Sequence, residues 1–215
     1  MTQSEENYLK VIYHLHQASP KGVTTNAIAE TMVTKASSVT DMIKKLADKN
    51  LIDYQRYQGV KITELGQREA KMIIRKHRLW EVFLVDKLKF SWDEVHAVAE
   101  DLEHIKSEQL FNRLDEFLGF PTHDPHGDPI PDRNGEIIKI EKFLLSDAPL
   151  HTKLICVGVK DTSSEFLQYL NKYNIALGTE ITVTHKEDFD LSLTIQFNDQ
   201  ELMLSNKIAS NLYVK

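Results

Sequence analysis

The fold of this chain is decided by residues 35–63, which read KASSVTDMIKKLADKNLIDYQRYQGVKIT. In the first half of this stretch, apolar residues recur at helical spacing at Val39, Ile43 and Leu46, which predicts an amphipathic helix. In the second half, two short segments with alternating apolar residues surround Arg56 and Gly59, and they predict a β-hairpin. A helix followed by such a hairpin indicates the DNA-reading end of a winged helix-turn-helix.

Two further helices are predicted before this stretch. Ser4 is a suitable N-cap for the first, which ends before Pro20, and Thr24 or Thr25 caps the second. The third helix would then enter the major groove, while the hairpin would touch phosphates as the wing. The candidate DNA contacts are Lys35, Ser37, Ser38, Thr40, Lys44 and Arg56. A winged helix that binds only protein is the alternative, and the small hydroxyl and lysine groups argue against it.

The composition is that of an ordinary globular protein. Of 215 residues, 41% are hydrophobic and 27% are charged, and this length suffices for one large domain or two to three small ones. No apolar run approaches the roughly 20 residues that span a bilayer, so no membrane contact is expected. The single cysteine, Cys156, lies in an apolar run, which predicts a buried structural thiol in a reducing cytoplasm.

The net charge of -6 is unevenly distributed. Residues 1–80 hold 13 Lys and Arg against 8 Asp and Glu, whereas residues 81–215 hold 13 against 24. A basic first third joined to an acidic remainder predicts a polyanion-binding domain attached to a cation-binding body.

Acids and histidines recur at helical spacing in the middle of the chain. One stripe has spacing i, i+4, i+7 and i+8 on a helix predicted from about Ser91 to Lys106, and a pair spaced i, i+4 lies on an earlier helix. Imidazole and carboxylate together suit a first-row divalent metal such as manganese, iron, cobalt or zinc. A solvated polar face is the alternative, but the stripe carries no Lys or Arg. The candidate ligands are His77, Glu81, His96, Glu100, Glu103 and His104.

The remainder of the chain contains predicted helices, then a proline-rich loop, and then a segment rich in predicted strands. The helices after Glu64 carry more apolar surface than one small domain can hide, which predicts a helical dimer interface. Residues 119–131 contain four prolines and two glycines, so they predict a rigid loop that could hold Asp124 and His126 as ligands. Taken alone, these two residues would be ordinary surface groups. From about Pro149, alternating segments predict a small antiparallel β-barrel-like module interrupted by a helix, Ser163–Lys172.

Several short motifs together resemble one known family. They are Tyr8-Leu9-Lys10-Val11-Ile12-Tyr13, Ser38-Val39-Thr40-Asp41-Met42-Ile43, Arg75-Lys76-His77-Arg78-Leu79, Leu102-Glu103-His104 and Leu118-Gly119-Phe120-Pro121. Over essentially its whole length the chain resembles the DtxR/MntR family of metal-dependent transcriptional regulators. The segment Pro125-His126-Gly127 followed by Ile130-Pro131 is most similar to the three-domain, manganese-responsive branch.

The resemblance implies a mainly α fold with a β C-terminal module. Its parts would be a winged helix-turn-helix domain at residues 1–73, a helical metal-binding and dimerisation domain at residues 74–145, and an SH3-like (FeoA-like) small barrel at residues 149–215. The expected partners are double-stranded operator DNA and a second copy of the chain.

The resemblance also implies two sets of ligands. One combines Asn7 of the first helix with Glu100, Glu103 and His104, and His77 joins them in two-domain manganese regulators. The other matches Glu81, Asp124, His126 and Asp161, with Glu165 a neighbouring candidate for the last position and His96 an auxiliary ligand. Asn7 stands where manganese members have aspartate. Glu100 and Asp124 each stand where relatives have cysteine, and oxygen in place of sulfur favours manganese over iron(II).

The function predicted from all this is a metal-activated, cytoplasmic repressor of metal-uptake genes, and not an enzyme. Manganese is the first expectation for the metal and iron(II) the second. Two alternatives are a metalloenzyme of hydrolase type and a winged-helix regulator that senses an organic ligand and holds metal only structurally. Metal titration of operator binding separates all three.

Overall fold

The structure is a computed structural model that describes residues 1–55, 59–138 and 140–215. The chain forms two compact units. The first comprises Met1–His77, Glu100–Phe111 and Pro131–Ile137, and the second comprises Arg78–Ala99, Asn112–Ile130 and Ile138–Lys215.

The first unit begins with the predicted winged helix-turn-helix. Its helices are α1 (Gln3–Ala18), α2 (Thr25–Thr31) and α3 (Ala36–Asp48), and its strands are β1 (Ile52–Gln55) and β2 (Gly59–Ile62). The two strands pair antiparallel, with Ile52 opposite Ile62 and Gln55 opposite Gly59. The wing residue Arg56, a predicted DNA contact, lies outside the described residues.

The core of the winged helix confirms the predicted apolar face of α3. Val39, Ile43 and Leu46 are buried, together with Leu9 and Ile12 of α1. Burying a side chain of this size stabilises a fold by about 1.5–3 kcal/mol relative to leaving it exposed. The opposite face of α3 is therefore directed away from this core.

The start of α1 differs from the expectation. The N-cap is Thr2 and not Ser4, because Thr2 and Glu5 form a capping box in which each side chain accepts from the other's backbone. Glu5 also accepts a hydrogen bond of 2.6 Å from Lys49, the C-cap residue of α3. The first turn of α1 is thereby attached to the end of α3.

Three helices follow the winged helix: α4 (Glu64–Asp86), α5 (Val95–Leu102) and α6 (Glu108–Phe117). The helix predicted from Ser91 to Lys106 is shorter at both ends. Residues 92–94 form a turn that the Ser91 and Glu94 side chains close, and Ile105 bonds the carbonyl of Leu102 in an i to i+3 turn. Glu103 and His104 consequently lie in the turn after α5, not on the helix with His96 and Glu100.

The second unit contains an antiparallel sheet built from the last third of the chain. Its strands have the order β3-β8-β4-β5-β6-β7. Their bounds, with those of two helices, are β3 (Phe143–Leu144), β4 (Lys153–Val159), α7 (Ser164–Lys172), β5 (Glu180–Lys186), β6 (Leu193–Phe197), β7 (Gln200–Leu204), α8 (Asn206–Ala209) and β8 (Leu212–Val214). The register shifts where β4 meets β8 and where β5 meets β6, and such bulges increase the twist of a sheet.

Two smaller expectations concern Cys156 and the membrane. Cys156 is 2% exposed in the core of this sheet, and burial raises the pKa of its thiol to about 11, which makes it a structural residue. Among the described residues, no helix has the length and apolar character that crossing a bilayer requires.

Candidate metal centre and DNA-reading surface

Glu103 is the centre of a buried group of charged side chains in the first unit. Its side chain is fully buried, and its Oε2 lies 2.7 Å from Nδ1 of His77 on α4. Ligand atoms of His77, Glu100 and Glu103 lie within 4.8 Å of one another. The structure thus brings together His77 and two predicted ligands, Glu100 and Glu103, that follow it in the sequence by more than 20 residues.

Lys10 of α1 lies between the two carboxylates of this group. Its Nζ is 2.6 Å from Oε1 of Glu100, and it is 2.7 Å and 2.9 Å from the two oxygens of Glu103. The Lys10 side chain is only 12% exposed. These contacts were not predicted, because nothing in the pattern of α1 distinguishes Lys10 from a solvated lysine.

His104 finds its partner in Glu6, a residue that sequence reasoning missed. Its Nδ1 is 2.7 Å from Oε2 of Glu6, and both side chains are 7% exposed. An acid in the first turn of a helix is expected from the helix dipole alone, so Glu6 carried no separate signal. We call Glu6, His77, Glu100, Glu103 and His104 the first cluster.

Asn7 lies beside the first cluster on α1, one residue after Glu6 and three before Lys10. Its Oδ1 is buried and accepts no hydrogen bond from any described residue. A buried polar atom without a partner is costly in a folded protein. A neutral oxygen donor that is open to a cation is thus present where the resemblance places a ligand.

The electrostatics of the first cluster favour the ionised acid. Burial by itself would raise the pKa of Glu103, but the hydrogen bond from His77 and the charge of Lys10 outweigh it and hold that pKa below its usual value. An ionised carboxylate that is fully buried is costly unless it is paired with a cation and hydrogen-bonded.

A second cluster lies in the second unit. Ligand atoms of Glu81, Asp124 and His126 lie within 4.8 Å of one another, and all three residues are buried. The Nε2 of His126 lies 2.8 Å from the carbonyl oxygen of Trp92, to which it donates. Its Nδ1 therefore faces Glu81 at 3.6 Å, and an imidazole held in this way is a typical metal ligand.

The proline-rich loop holds Asp124 firmly. Its Oδ1 accepts hydrogen bonds from the backbone of His126 and Asp128, at 2.8 Å and 3.0 Å, and its Oδ2 is 3.3 Å from Nε of Arg78. Burial, with the nearby charge of Glu81, raises the pKa of Asp124 to about 6. Burial lowers the pKa of His126, but its contact with Glu81 prevails, so the net shift is upward.

Two other predicted ligands stand apart from the second cluster. His96 has Nδ1 3.4 Å from Oε1 of Glu81, but its side chain is 58% exposed, so it borders the cluster. Asp161 is half-buried and accepts a hydrogen bond from the backbone of Ser163 at the start of α7. Asp161 is not gathered with Glu81, Asp124 and His126 in the part of the chain that the structure describes. Its role as a ligand stays a prediction, as does that of the exposed Glu165.

The proposed DNA-reading surface is the open face of α3. Lys35, Ser37, Ser38 and Lys44 are exposed. Thr40 is half-buried, and its hydroxyl donates to the carbonyl of Ala36 within the helix. Lys44 faces Asp41 at 3.6 Å, and both side chains are largely exposed, so this pair contributes little stability and leaves Lys44 available for a phosphate.

The protonation of Asp124 gives a pH-dependent stability in the presence of a chelator. Because its pKa is raised in the folded chain, the stability that its protonation contributes is full below about pH 4 and is lost as the pH rises through about 6. Between about pH 5 and 7 we expect the parent to lose on the order of 1 kcal/mol relative to Asp124→Asn. Chemical denaturation of both proteins across this range measures the difference.

The comparison with Asp124→Asn is needed because folding also shifts the pKa of the neighbouring His123. Burial lowers the pKa of His123, so its contribution to stability rises with pH and opposes that of Asp124. His123 is present in both proteins and cancels in the difference. Parallel pH profiles would show that Asp124 is not protonated near neutral pH.

Models of three protein families match successive parts of the chain. Residues 1–60 match the DNA-binding domain of iron-dependent repressors, residues 63–132 match the metal-binding and dimerisation domain of the same repressors, and residues 143–215 match the FeoA domain.

Individual proteins agree with these matches. The iron-dependent repressor IdeR of Mycobacterium tuberculosis is 35% identical over 133 residues, which is 61% of this chain and 56% of IdeR. The match thus spans little more than half the length of that relative. The regulator MntR of Oceanobacillus iheyensis is 30% identical over 124 residues, covering 57% of this chain and 82% of MntR. A manganese-dependent transcriptional repressor, solved in complex with manganese, has a TM-score of 0.86 and 33% identity over 98% of each chain.

Proposed function

The chain belongs to the DtxR/MntR family of metal-dependent transcriptional repressors, and we propose that it is a manganese-activated repressor that binds operator DNA as a homodimer. The observation that carries this proposal is the first cluster, because it joins α1 of the winged helix to the residues that would hold the ion. Glu6, Asn7 and Lys10 lie on α1, while Glu100, Glu103 and His104 lie in or just after α5.

The donor set of the first cluster fits manganese. Glu6, Glu100 and Glu103 offer carboxylate oxygens, and His77 and His104 offer imidazole nitrogens. Asn7 adds a buried carbonyl oxygen that has no hydrogen-bond partner among the described residues. Divalent ions with a preference for oxygen and imidazole suit such a set, and thiolate-seeking ions do not. When bound, the ion would supply the positive charge that these buried acids require.

The second cluster supports a further ion of the same kind. Glu81, Asp124 and His126 provide two carboxylates and one imidazole in a buried setting. His96 lies at its border, and Asp161 would have to turn away from the start of α7 to join. We propose that this cluster stabilises the second unit when it is loaded, while the first cluster controls the DNA-binding domain.

The mechanism that we propose is a shift between conformers. Glu6 and Lys10 hold α1 against the residues after α5, and α1 packs against α3 in the same core. An ion that binds one arrangement of α1 more tightly favours that arrangement, and with it one position of α3. In a dimer, the two α3 helices would then match half-sites about 10 base pairs apart, or a multiple of that spacing.

The homodimer is proposed from the apolar surface of the second unit. Leu88, Phe117 and Phe120 are 54%, 63% and 57% exposed. Exposed apolar side chains of this size are typical of surfaces that a protein partner covers, and family membership makes a second copy the natural partner. Since a repressor works where the chromosome is, a cytoplasmic location remains part of this proposal.

A metal titration of operator binding tests the proposed function. The operator would first be selected from fragmented genomic DNA in the presence of Mn²⁺, and its binding would then be measured by fluorescence anisotropy against free Mn²⁺, Fe²⁺ and Zn²⁺. We expect full activation of operator binding by Mn²⁺ and partial activation by Fe²⁺. Zn²⁺ should bind tightly but activate operator binding less, because selectivity among these ions depends on coordination geometry and not on affinity alone.

The other outcomes of this titration separate the alternatives. Operator binding that is independent of metal would indicate a regulator of another ligand, with metal only structural. No sequence-selective DNA binding at all, together with metal-dependent hydrolysis, would indicate an enzyme. Full activation by Fe²⁺ with no response to Mn²⁺ would reverse the choice of metal.

Replacing Lys44 with alanine tests the DNA-reading surface. We expect the variant to bind all DNA sequences more weakly and to lower the slope of log affinity against log salt by about one, since one phosphate contact is lost. Lys207, an exposed lysine of α8 in the second unit, gives the control variant Lys207→Ala. An unchanged salt slope for Lys44→Ala would remove this part of α3 from the interface.

A further inference from the structure

The position of Lys10 in the first cluster is that of a bound cation. Its Nζ lies 2.7 Å from one oxygen of Glu103 and 2.9 Å from the other, which places it on the chelating edge of the carboxylate. The same Nζ is 2.6 Å from Glu100. One ammonium thus bridges two carboxylates in the way that a divalent ion would.

We propose that Lys10 is a tethered competitor of the activating metal, which must leave Glu100 and Glu103 before the ion can bind there. This inference rests on the proposed function, since it concerns the same cluster. It adds that one residue of this chain sets the metal concentration at which the protein responds.

Simultaneous occupancy is excluded by distance and charge. A first-row divalent ion binds a carboxylate oxygen at about 2 Å. On the chelating edge of Glu103, that ion would occupy the volume in which Nζ now lies. Two cations in contact would also repel each other strongly in a site with little water, and the Glu103 side chain is fully buried.

Exchange of one cation for the other is physically accessible. Lysine carries its charge on a flexible four-carbon stem, so the ammonium group can move toward solvent while the stem stays packed. The Lys10 side chain is 12% exposed, which indicates a path to water. The ion brings two positive charges in place of one, and it can recruit Asn7, whose buried oxygen accepts no hydrogen bond from the described residues.

The measured metal affinity of the first cluster is therefore the equilibrium constant for replacing the Lys10 ammonium group with the ion. Its value is the intrinsic affinity of the acids and imidazoles, reduced by the cost of breaking the contacts of Lys10. Removing the ammonium group should tighten metal binding, although it also removes a salt bridge from the structure. If Lys10 had a purely structural role, its replacement would weaken metal binding, because the ligands would become disordered.

The test compares two lysine-to-methionine variants of the full chain. Lys10→Met keeps the length of the stem and removes the charge. Lys76→Met is the matched control, because Lys76 is half-buried and its ammonium feels the charges of Glu6 and Glu103, but it packs over the ring of Phe111. Both changes are made in an Asp124→Asn background, which removes one carboxylate from the second cluster and so weakens its binding of the ion that is being measured.

Mn²⁺ affinity is measured by competition with a fluorescent chelator. We expect Lys10→Met to bind Mn²⁺ at least about tenfold more tightly than its parent, which corresponds to one displaced charge-assisted contact. Lys76→Met should change the affinity by about threefold or less, as general electrostatics requires. Equal or weaker binding by Lys10→Met, or equal gains in both variants, would overturn the proposal. If the parent binds Mn²⁺ but the variants match it, only this inference fails; if neither parent nor Lys10→Met binds Mn²⁺, the proposed function fails with it.

Amine labelling provides a second measurement that needs no substitution. The unmodified chain is treated briefly with an acylating reagent with and without Mn²⁺, and the labelled lysines are identified by mass spectrometry. Lys10 should react several times faster in the presence of Mn²⁺, while the exposed Lys207 reacts equally in both. If Lys10 reacts at the same rate with and without saturating Mn²⁺, it is not displaced and the proposal is wrong.

Discussion

Replacing Glu103 with glutamine is expected to weaken Mn²⁺-dependent operator binding by roughly 100-fold or more, since even residues that only support metal ligands are worth about 10–100-fold. Glutamine has nearly the same shape, but it lacks the charge that His77 and Lys10 contact within 2.9 Å. The expected loss therefore comes from charge and not from volume. Anisotropy titrations with operator DNA at fixed Mn²⁺ measure it.

The control for Glu103→Gln is Glu108→Gln. Glu108 is an exposed acid in the first turn of α6, so this variant also loses one negative charge near the same part of the chain. It should respond to Mn²⁺ like the parent. Circular dichroism establishes that Glu103→Gln remains folded. A folded Glu103→Gln that keeps the metal response of the parent would mean that the first cluster is only a structural ion pair.

Replacing Gly127 with alanine is expected to destabilise the chain by several kcal/mol and to abolish metal binding in the second cluster. Gly127 has φ +83°, and a Cβ there would lie 2.1 Å from the carbonyl oxygen of Val157 and 2.5 Å from Cα of Gly158. The next residue back, His126, accepts a hydrogen bond from the backbone of Val159. The loop cannot accommodate the methyl group without leaving β4, and His126 would leave Glu81 with it.

The control for Gly127→Ala separates crowding from backbone strain. Gly119 also has a positive φ, +75°, but a Cβ there would meet no atom within 4 Å. Gly119→Ala should therefore cost only the left-handed conformation, about 1–2 kcal/mol. Thermal unfolding and the number of Mn²⁺ ions bound per chain give the two readouts. If Gly127→Ala loses no more stability than Gly119→Ala and binds as many ions, the contact with β4 does not hold the loop.

The helices and strands of this fold were predictable from the sequence where the spacing of apolar residues along the chain indicated them. The spacing of Val39, Ile43 and Leu46 predicts the buried face of α3, and the structure confirms it. The bounds of α5 were predicted less well, since helical periodicity continues into residues 103–106 although the backbone there has turned. The capping box of Thr2 with Glu5 sets the start of α1, whereas Ser4 was the predicted N-cap.

The partners of the site residues were beyond the reach of local patterns. Lys10 meets Glu100 and Glu103 across 90 or more residues, and Glu6 meets His104 across 98. Such pairs depend on how α1 packs, which no spacing along the chain reveals. The resemblance to a family named Asn7 as the ligand of α1, and the structure adds two charged neighbours on the same helix. For Asp161, its place at the start of α7 suffices to explain the residue without a metal.

The single turn that holds Glu5 and Glu6 limits how strongly the metal and the DNA can influence each other through α1. Glu6 contacts His104, and Glu5 contacts Lys49 at the end of α3. If this turn opens locally, both contacts are lost together, and metal binding can no longer affect the position of α3 through them. The coupling free energy that this turn transmits therefore cannot exceed the free energy of its own local opening. Amide hydrogen exchange in residues 5–8 would give that upper limit directly, without operator DNA.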